Sequence, residues 1–243
     1  MPKTRGQGLA RLALLLGLVS LLLLAATGPG YRSGWVSLGT ALRLFLTWAS
    51  YGGIAATVLA LVGLAWGRGR PRTLAAIALV LGLASLYFPW RFQQAAGAVP
   101  PIHDITTDIV TPPQYVEAAA LRRDLKAPNS LDLPVETINQ QIAAYPEIQP
   151  LFLAVPPADA YAKALALVRA REWEVVAADD AGRRIEATDT TFWFRFKDDV
   201  ALRVSAVPDG TSRVDMRSVS RLGRSDLGTN ARRIREFLAD LAR

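Results

Sequence analysis

The sequence predicts an α+β protein in which N-terminal transmembrane helices precede a soluble domain whose antiparallel sheet packs on helices. Three observations carry this expectation. Residues 1–97 contain no Asp or Glu, and all 21 acidic residues follow them. Long uncharged runs are confined to that same first section. Beyond residue 150, after one helical stretch, short alternating runs follow one another with only turn residues between them, and such connections join neighbours antiparallel. A chain of 243 residues, 51% hydrophobic, has length for a membrane section, 1–97, and one soluble domain, 98–243.

The charge is as uneven as the hydropathy. Residues 1–97 hold nine basic residues (Lys3, Arg5, Arg11, Arg32, Arg43, Arg68, Arg70, Arg72 and Arg91), which leaves 19 of the 28 to face 21 acids in the rest of the chain. The net charge of +7 therefore belongs to the membrane section and sits beside apolar segments, so nucleic acid is not expected as a partner. The absence of cysteine removes disulfides, thiol nucleophiles and thiolate metal sites.

Residues 9–26, 44–66 and 74–90 are predicted to span the bilayer. The first is the Leu-rich run Leu12–Ala26 behind Lys3, Arg5 and Arg11. Its end, Ala25-Ala26-Thr27-Gly28, matches a small-x-small cleavage site poorly, so it reads as an uncleaved helix. The second gives 23 uncharged residues, enough for a hydrocarbon core of about 30 Å at about 1.5 Å per residue. The third is 17 residues long, with Tyr87 and Trp90 suited to an interface. By the positive-inside rule, Arg68, Arg70 and Arg72 place the turn between the last two helices in the cytoplasm, together with the N-terminus. Three crossings then put the domain on the periplasmic, or extracytoplasmic, side of a bacterial-type inner membrane. Gly52, Gly53, Gly63 and Gly82 predict close helix packing, and the second and third cores carry no ionisable residue for an ion path.

In the soluble domain, Gly97–Pro101 reads as a linker and residues 100–108 as an extended segment. Gln114–Leu125 and Val135–Tyr145 are short helices around a loop at Lys126–Pro134, expected to pack peripherally. Leu151–Val155 is a strand, and Pro156-Pro157 opens a helix to Arg171 with Tyr161, Leu165 and Val168 facing inward. Five strands follow, at 173–178, 183–188, 191–197, 200–207 and 212–222, with turns at Asp179–Gly182, Asp198-Asp199 and Pro208-Asp209-Gly210. Alternation places Phe192, Phe194 and Phe196 on the core side with Val200, Leu202, Val204, Val214 and Met216. The other side carries Trp193, Arg195, Lys197, Arg203, Asp215, Arg217 and Arg221. A closing helix from about Asp226 to Leu241 buries Leu227, Ala231, Ile234, Leu238 and Leu241, with Ser225 or Asp226 as N-cap.

Two constellations could carry chemistry. Trp193, Arg195, Lys197, Arg203, Arg217, Ser220 and Arg221 form an expected site for an anionic ligand, a lipid headgroup beside the anchor, or an acidic envelope protein. The alternatives for the same residues are a solvated charged face, or an internal polar network with Asp215, Asp226 and Asn230. An Asp226 that caps the last helix also competes with an external anion for its N–H groups. The second constellation is His103, the only histidine, with Asp104 or Asp108 to orient it and Arg217 to stabilise developing negative charge, as in a hydrolase or lyase. Its alternative is a hydrogen-bonded anchor for the linker. One His and two Asp are an incomplete metal set, no nucleophile motif is present, and no cofactor is implied.

Residues 101–108 (Pro-Ile-His-Asp-Ile-Thr-Thr-Asp), Phe194–Val200 and Asp215–Asn230 resemble three motifs of the bacterial and plastid family catalogued as domain of unknown function 1499. The resemblance covers most of residues 100–241, with the motifs in order. It implies no established activity and no catalytic set, and beside it the hydrophobic N-terminal section looks like an added anchor. The expected function is a membrane-anchored binding protein, with a hydrolase or lyase and an envelope scaffold as the alternatives.

Overall fold

The computed structural model describes residues 6–208 and 210–243; Lys3 and Arg5 of the basic N-terminus and Asp209 of the last turn lie outside them. The chain divides into two compact units, Met1–Ala95 with Trp193–Arg195, and Ala96–Phe192 with Phe196–Arg243.

The first unit is helical. α1 spans Gln7–Arg32, α2 Leu38–Arg43 and α3 Ala49–Trp66, with a π-helical turn at Leu44–Trp48 joining the last two into one continuous apolar helix. α4 spans Arg70–Ala98. All three stretches are long and apolar enough to cross a membrane. They fall where the sequence predicts but run further: α1 passes Ala26 to Arg32, and α4 continues through Gly97 into the expected linker. Pro100-Pro101, which cannot extend a helix, bounds it. The helices meet through small residues, with Ala13, Ala60 and Ala78 buried against one another. A Cβ on Gly82 would lie 2.6 Å from Thr57 Oγ1, so this crossing needs glycine, as its sequence position suggests.

The second unit is built on an antiparallel sheet. Its strands are β1 (Asp104–Thr106), β2 (Leu151–Leu153), β3 (Glu174–Asp179), β4 (Arg184–Thr190), β5 (Lys197–Ala206) and β6 (Ser212–Ser220). The order is β1-β6-β5-β4-β3, and β2 also pairs with β6. Thus β1 and β2 share one edge of β6, β2 opposite Ser212–Val214 and β1 opposite Arg217–Val219. Helices α7 (Pro157–Ala170) and α8 (Thr229–Leu241) close one face over Ile185, Val200, Leu202, Val204, Val214 and Met216. Trp173 stacks on Phe237 in this core, ring centroids 5.4 Å apart.

Two regions depart from expectation. Residues 191–196 are not a strand, and Asp198-Asp199 is not a turn. The β4–β5 ladder ends at the Thr190–Lys197 pair, Thr191 N donates to Phe196 O (2.9 Å), and the aromatic run forms the tip of a hairpin. Phe192 is accordingly 83% exposed rather than in the core. Aromatic residues favour strands, and paired aspartates favour turns, but here ion pairs hold both aspartates inside β5 and override local preference. The second region is residues 107–131. Rather than packing peripherally, this segment, with α5 (Glu117–Asp124), covers the opposite face of the sheet. Tyr115 and Ala118 bury against Ala201 and Val219, with Leu131 beside them. The further helix α6 (Val135–Ala144) lends Gln141, whose side chain accepts from Thr106 N and donates to Thr106 O.

Candidate functional site: an arginine–carboxylate network on both faces of the sheet

Register explains which charged groups meet. Across β4, β5 and β6 the rows Arg184–Arg203–Asp215, Glu186–Ala201–Arg217 and Thr188–Asp199–Val219 lie on the face covered by residues 107–131, where Asp104 of β1 joins them. A buried charge is tolerated only with a partner, because desolvation otherwise costs several kcal/mol. Every one of these groups has such a partner.

Arg217, 2% exposed, donates from Nε and Nη2 to the two oxygens of Asp104 (3.0 and 2.7 Å) and from Nη2 to Leu131 O (2.7 Å). Its guanidinium lies 5.3 Å from the Tyr115 ring centre, and the Tyr115 hydroxyl donates to the Asp199 carbonyl. Burial pulls the Arg217 pKa down, but hydrogen bonding and charge from Asp104 reverse this and raise it. Burial, helped by the Asp104 charge, pushes the Tyr115 phenol well above its ordinary range.

Asp199, fully buried, accepts from Arg122 Nη1 (2.7 Å), from Arg221 Nε and Nη2 (2.9 and 2.6 Å), and from Thr188 Oγ1 (2.8 Å). Glu186 accepts from the N–H groups of Val116 (2.9 Å) and Ala118 (2.7 Å), so a sheet carboxylate anchors the start of α5. At the rim, Asp108 and Asp215 share Arg203 and Arg213 at 2.8 to 3.0 Å. Burial raises the Asp108 pKa, but the N–H and hydroxyl of Thr111, the N–H of Val110 and Arg203 outweigh it and hold the carboxyl at about 2.

A second set lies on the α8 side. Arg233 reaches Asp198 Oδ2 (2.6 Å), Asp189 Oδ2 (2.8 Å) and Ser218 Oγ (2.9 Å), and also Asn230 Oδ1. The Asn230 amide donates to His103 O (2.9 Å) and Ser220 Oγ (3.0 Å), tying the segment before β1 to the end of β6. α8 begins three residues later than the sequence predicts, at Thr229 after a left-handed Gly228. Asp226 still acts as its cap, accepting from Gly228 N (2.7 Å) and Asn230 N (2.8 Å). The chain's own carboxylate therefore occupies the groups an external anion would use.

The predicted site residues thus separate. Arg217, Arg221 and Ser220 are buried, the serine on the opposite face from the arginines; Arg203 is part-buried between Asp108 and Asp215. Lys197 pairs with Glu174 at the surface (3.2 Å). Trp193 and Arg195 are exposed in the hairpin tip, not on the sheet face. His103 is half-buried; the Asp104 and Asp108 carboxylates expected to orient it are held by Arg217 and by Thr111, Arg203 and Arg213. No group of three His, Asp or Glu able to hold a metal occurs among the described residues. Arg122, Arg213, Glu186, Asp189, Asp198, Asp199 and Arg233 escape the sequence reading. The facing Arg203 and Asp215, alternating in step with Arg217, were the signal for some of them.

Residues 104–241, more than half of the chain, match the family described as protein of unknown function (DUF1499), and the chain belongs to it. No curated protein matches the chain.

Proposed function

We propose that this member of the family is a membrane-anchored binding or accessory protein. Its N-terminus lies in the cytoplasm, its sheet domain on the extracytoplasmic side of a bacterial-type inner membrane. It engages an acidic headgroup or ligand through Trp193 and Arg195 rather than through the sheet arginines. The observation that carries this reading is the division of labour among the basic residues. Arg122, Arg217, Arg221 and Arg233 are buried on internal carboxylates, whereas Arg195 is exposed beside an exposed tryptophan. The test uses the full chain in mild detergent, with melting followed as phosphatidylglycerol or phosphatidylcholine is added. Stabilisation by the anionic lipid alone, lost in Arg195→Glu, is expected. Equal stabilisation of wild type and variant would remove the proposal.

The same network favours an envelope scaffold as the second reading, since Asp104, Asp198, Asp199, Arg217 and Arg221 of the three motifs are all taken up by internal ion pairs. A full chain whose melting responds to neither lipid but which co-migrates with a larger envelope assembly would favour it.

A further inference from the structure

We propose that the helical unit holds one anionic phospholipid, with an acyl chain in an apolar pocket lined by Trp193 and the phosphate on Arg32 and Arg195. This deepens the function proposed above and rests on it for the role of Arg195. Leu21, Leu24, Ala25, Phe45, Phe88 and Trp193 line a pocket of about 520 Å³ whose walls are almost wholly apolar. Further along both contributing segments, Tyr31 and Arg32 with Phe194 and Arg195 line a second hollow of about 470 Å³, of mixed polarity. Residues 25 and 32 lie two turns apart on one face of α1, roughly 10 Å along the axis. That spacing is enough to cross the roughly 5–8 Å of headgroup region that lies outside each side of the hydrocarbon core.

Three further observations fit the same occupant. Trp193 is fixed rather than merely nearby: its Nε1 donates to Thr27 Oγ1 (3.3 Å), and a Cβ on Gly28 would lie 2.6 Å from the Trp193 carbonyl oxygen. Only glycine admits the tryptophan here. Tyr31 meets Phe194 edge-on at 6.1 Å, so aromatic rings stand beside Arg32 and Arg195 in the second hollow, as at a membrane interface. Phe45 sits in the π-helical turn, an irregularity that often re-aims side chains at binding sites. Charge selects the headgroup. No Asp or Glu lies in residues 1–97 or 193–195, so this unit offers its guanidiniums no carboxylate, and a phosphate diester carrying net negative charge does.

The experiment is native mass spectrometry of the full chain released from mild detergent with defined additives. Dipalmitoyl phosphatidylglycerol, dipalmitoyl phosphatidylcholine, dihexanoyl phosphatidylglycerol and glycerol phosphate are titrated separately. One long-chain phosphatidylglycerol should bind first, roughly tenfold or more tighter than phosphatidylcholine, and Arg32→Glu or Arg195→Glu should weaken it by a similar factor. Ala25→Phe, which fills the pocket, should weaken it too. If Ala25→Phe does not insert, the chain-length comparison on the wild type decides. Binding lost with the charge reversals but equal for long and short chains overturns the acyl pocket and leaves headgroup recognition standing. Glycerol phosphate binding as well as the lipid, or phosphatidylcholine binding as well as phosphatidylglycerol, overturns the assignment of an anionic lipid. Indifference to the charge reversals removes both proposals.

Discussion

Arg217→Met should destabilise the sheet domain rather than merely disarm a surface. Its guanidinium makes two hydrogen bonds to Asp104 and one to Leu131 O, and lies beside the Tyr115 ring. Removing it leaves the Asp104 carboxylate, 2% exposed, without a counter-charge. Breaking one partner of a buried pair typically costs about 3–5 kcal/mol. At roughly 2–4 °C per kcal/mol for a domain of this size, melting should fall by roughly 10 °C. Asp104→Leu should cost a similar amount, because it strands the arginine. The double variant Asp104→Leu/Arg217→Met removes both charges and should recover most of the loss, giving a coupling of about 2 kcal/mol or more. Intrinsic fluorescence and circular dichroism of the full chain in detergent, during thermal unfolding, provide the readout. If Arg217→Met melts like wild type, or the double variant loses the sum of the singles, the pair does not hold the fold and Arg217 becomes available for a ligand.

Asp108→Asn should remove an acid-sensitive contribution. The folded pKa of about 2 lies below the ordinary 3.8, so the stabilisation is present above pH 4 and lost as pH falls toward 2; solvent screening at the rim holds it to about 1 kcal/mol. Melting of wild type should therefore drop between pH 4 and 2 more steeply than that of the variant, and parallel curves would contradict the assignment. Glu186→Ala removes the acceptor for two N–H groups at the start of α5 and should cost about 1–2 kcal/mol, read as faster hydrogen exchange at Val116 and Ala118. Phe237→Ala, in the centre of the core against Trp173, should cost about 3–5 kcal/mol and shift the Trp173 emission to the red. A C-terminal alkaline phosphatase fusion should be active and a green fluorescent protein fusion dark; the reverse pattern would invert the proposed topology.

The helices and the sheet were legible because each follows one strong rule. Uncharged runs gave the three membrane-length helices, and alternation from Val200 to Met216 gave the core face. What stayed hidden depended on contacts distant in sequence. Nothing local tells that residues 107–131 fold over the charged face, yet that cover turns Arg217 and Arg221 from surface groups into buried ones. The aromatic run Phe192-Trp193-Phe194 has the composition of a strand, and only the end of the β4–β5 ladder at Thr190–Lys197 makes it a hairpin tip. Asp198 and Asp199 carry the local signature of a turn, and the partners that hold them in a strand, Arg233, Arg122 and Arg221, lie 22 to 77 residues away.

The position of the ion pairs suggests why a domain would retain so many where apolar residues could serve. β1 and β2 are each three residues long and join the same edge of β6, so few ladder bonds define where either should dock. A slip of one residue turns every side chain of a strand to the other face. For β1 such a slip would carry Asp104 into the apolar core and leave Arg217 unpaired, at a cost far above that of a displaced methyl group. We take the Asp104–Arg217 pair to be a register lock, and the Asn230 bonds to His103 O and Ser220 Oγ to be its second pin. The apolar double variant Asp104→Leu/Arg217→Met then has a distinct signature. It should keep most of the stability while the amides of Asp104–Thr106 exchange faster, since packing survives but alternative registers of β1 are no longer excluded. Unchanged protection of those amides would mean that β1 is positioned by its backbone bonds alone.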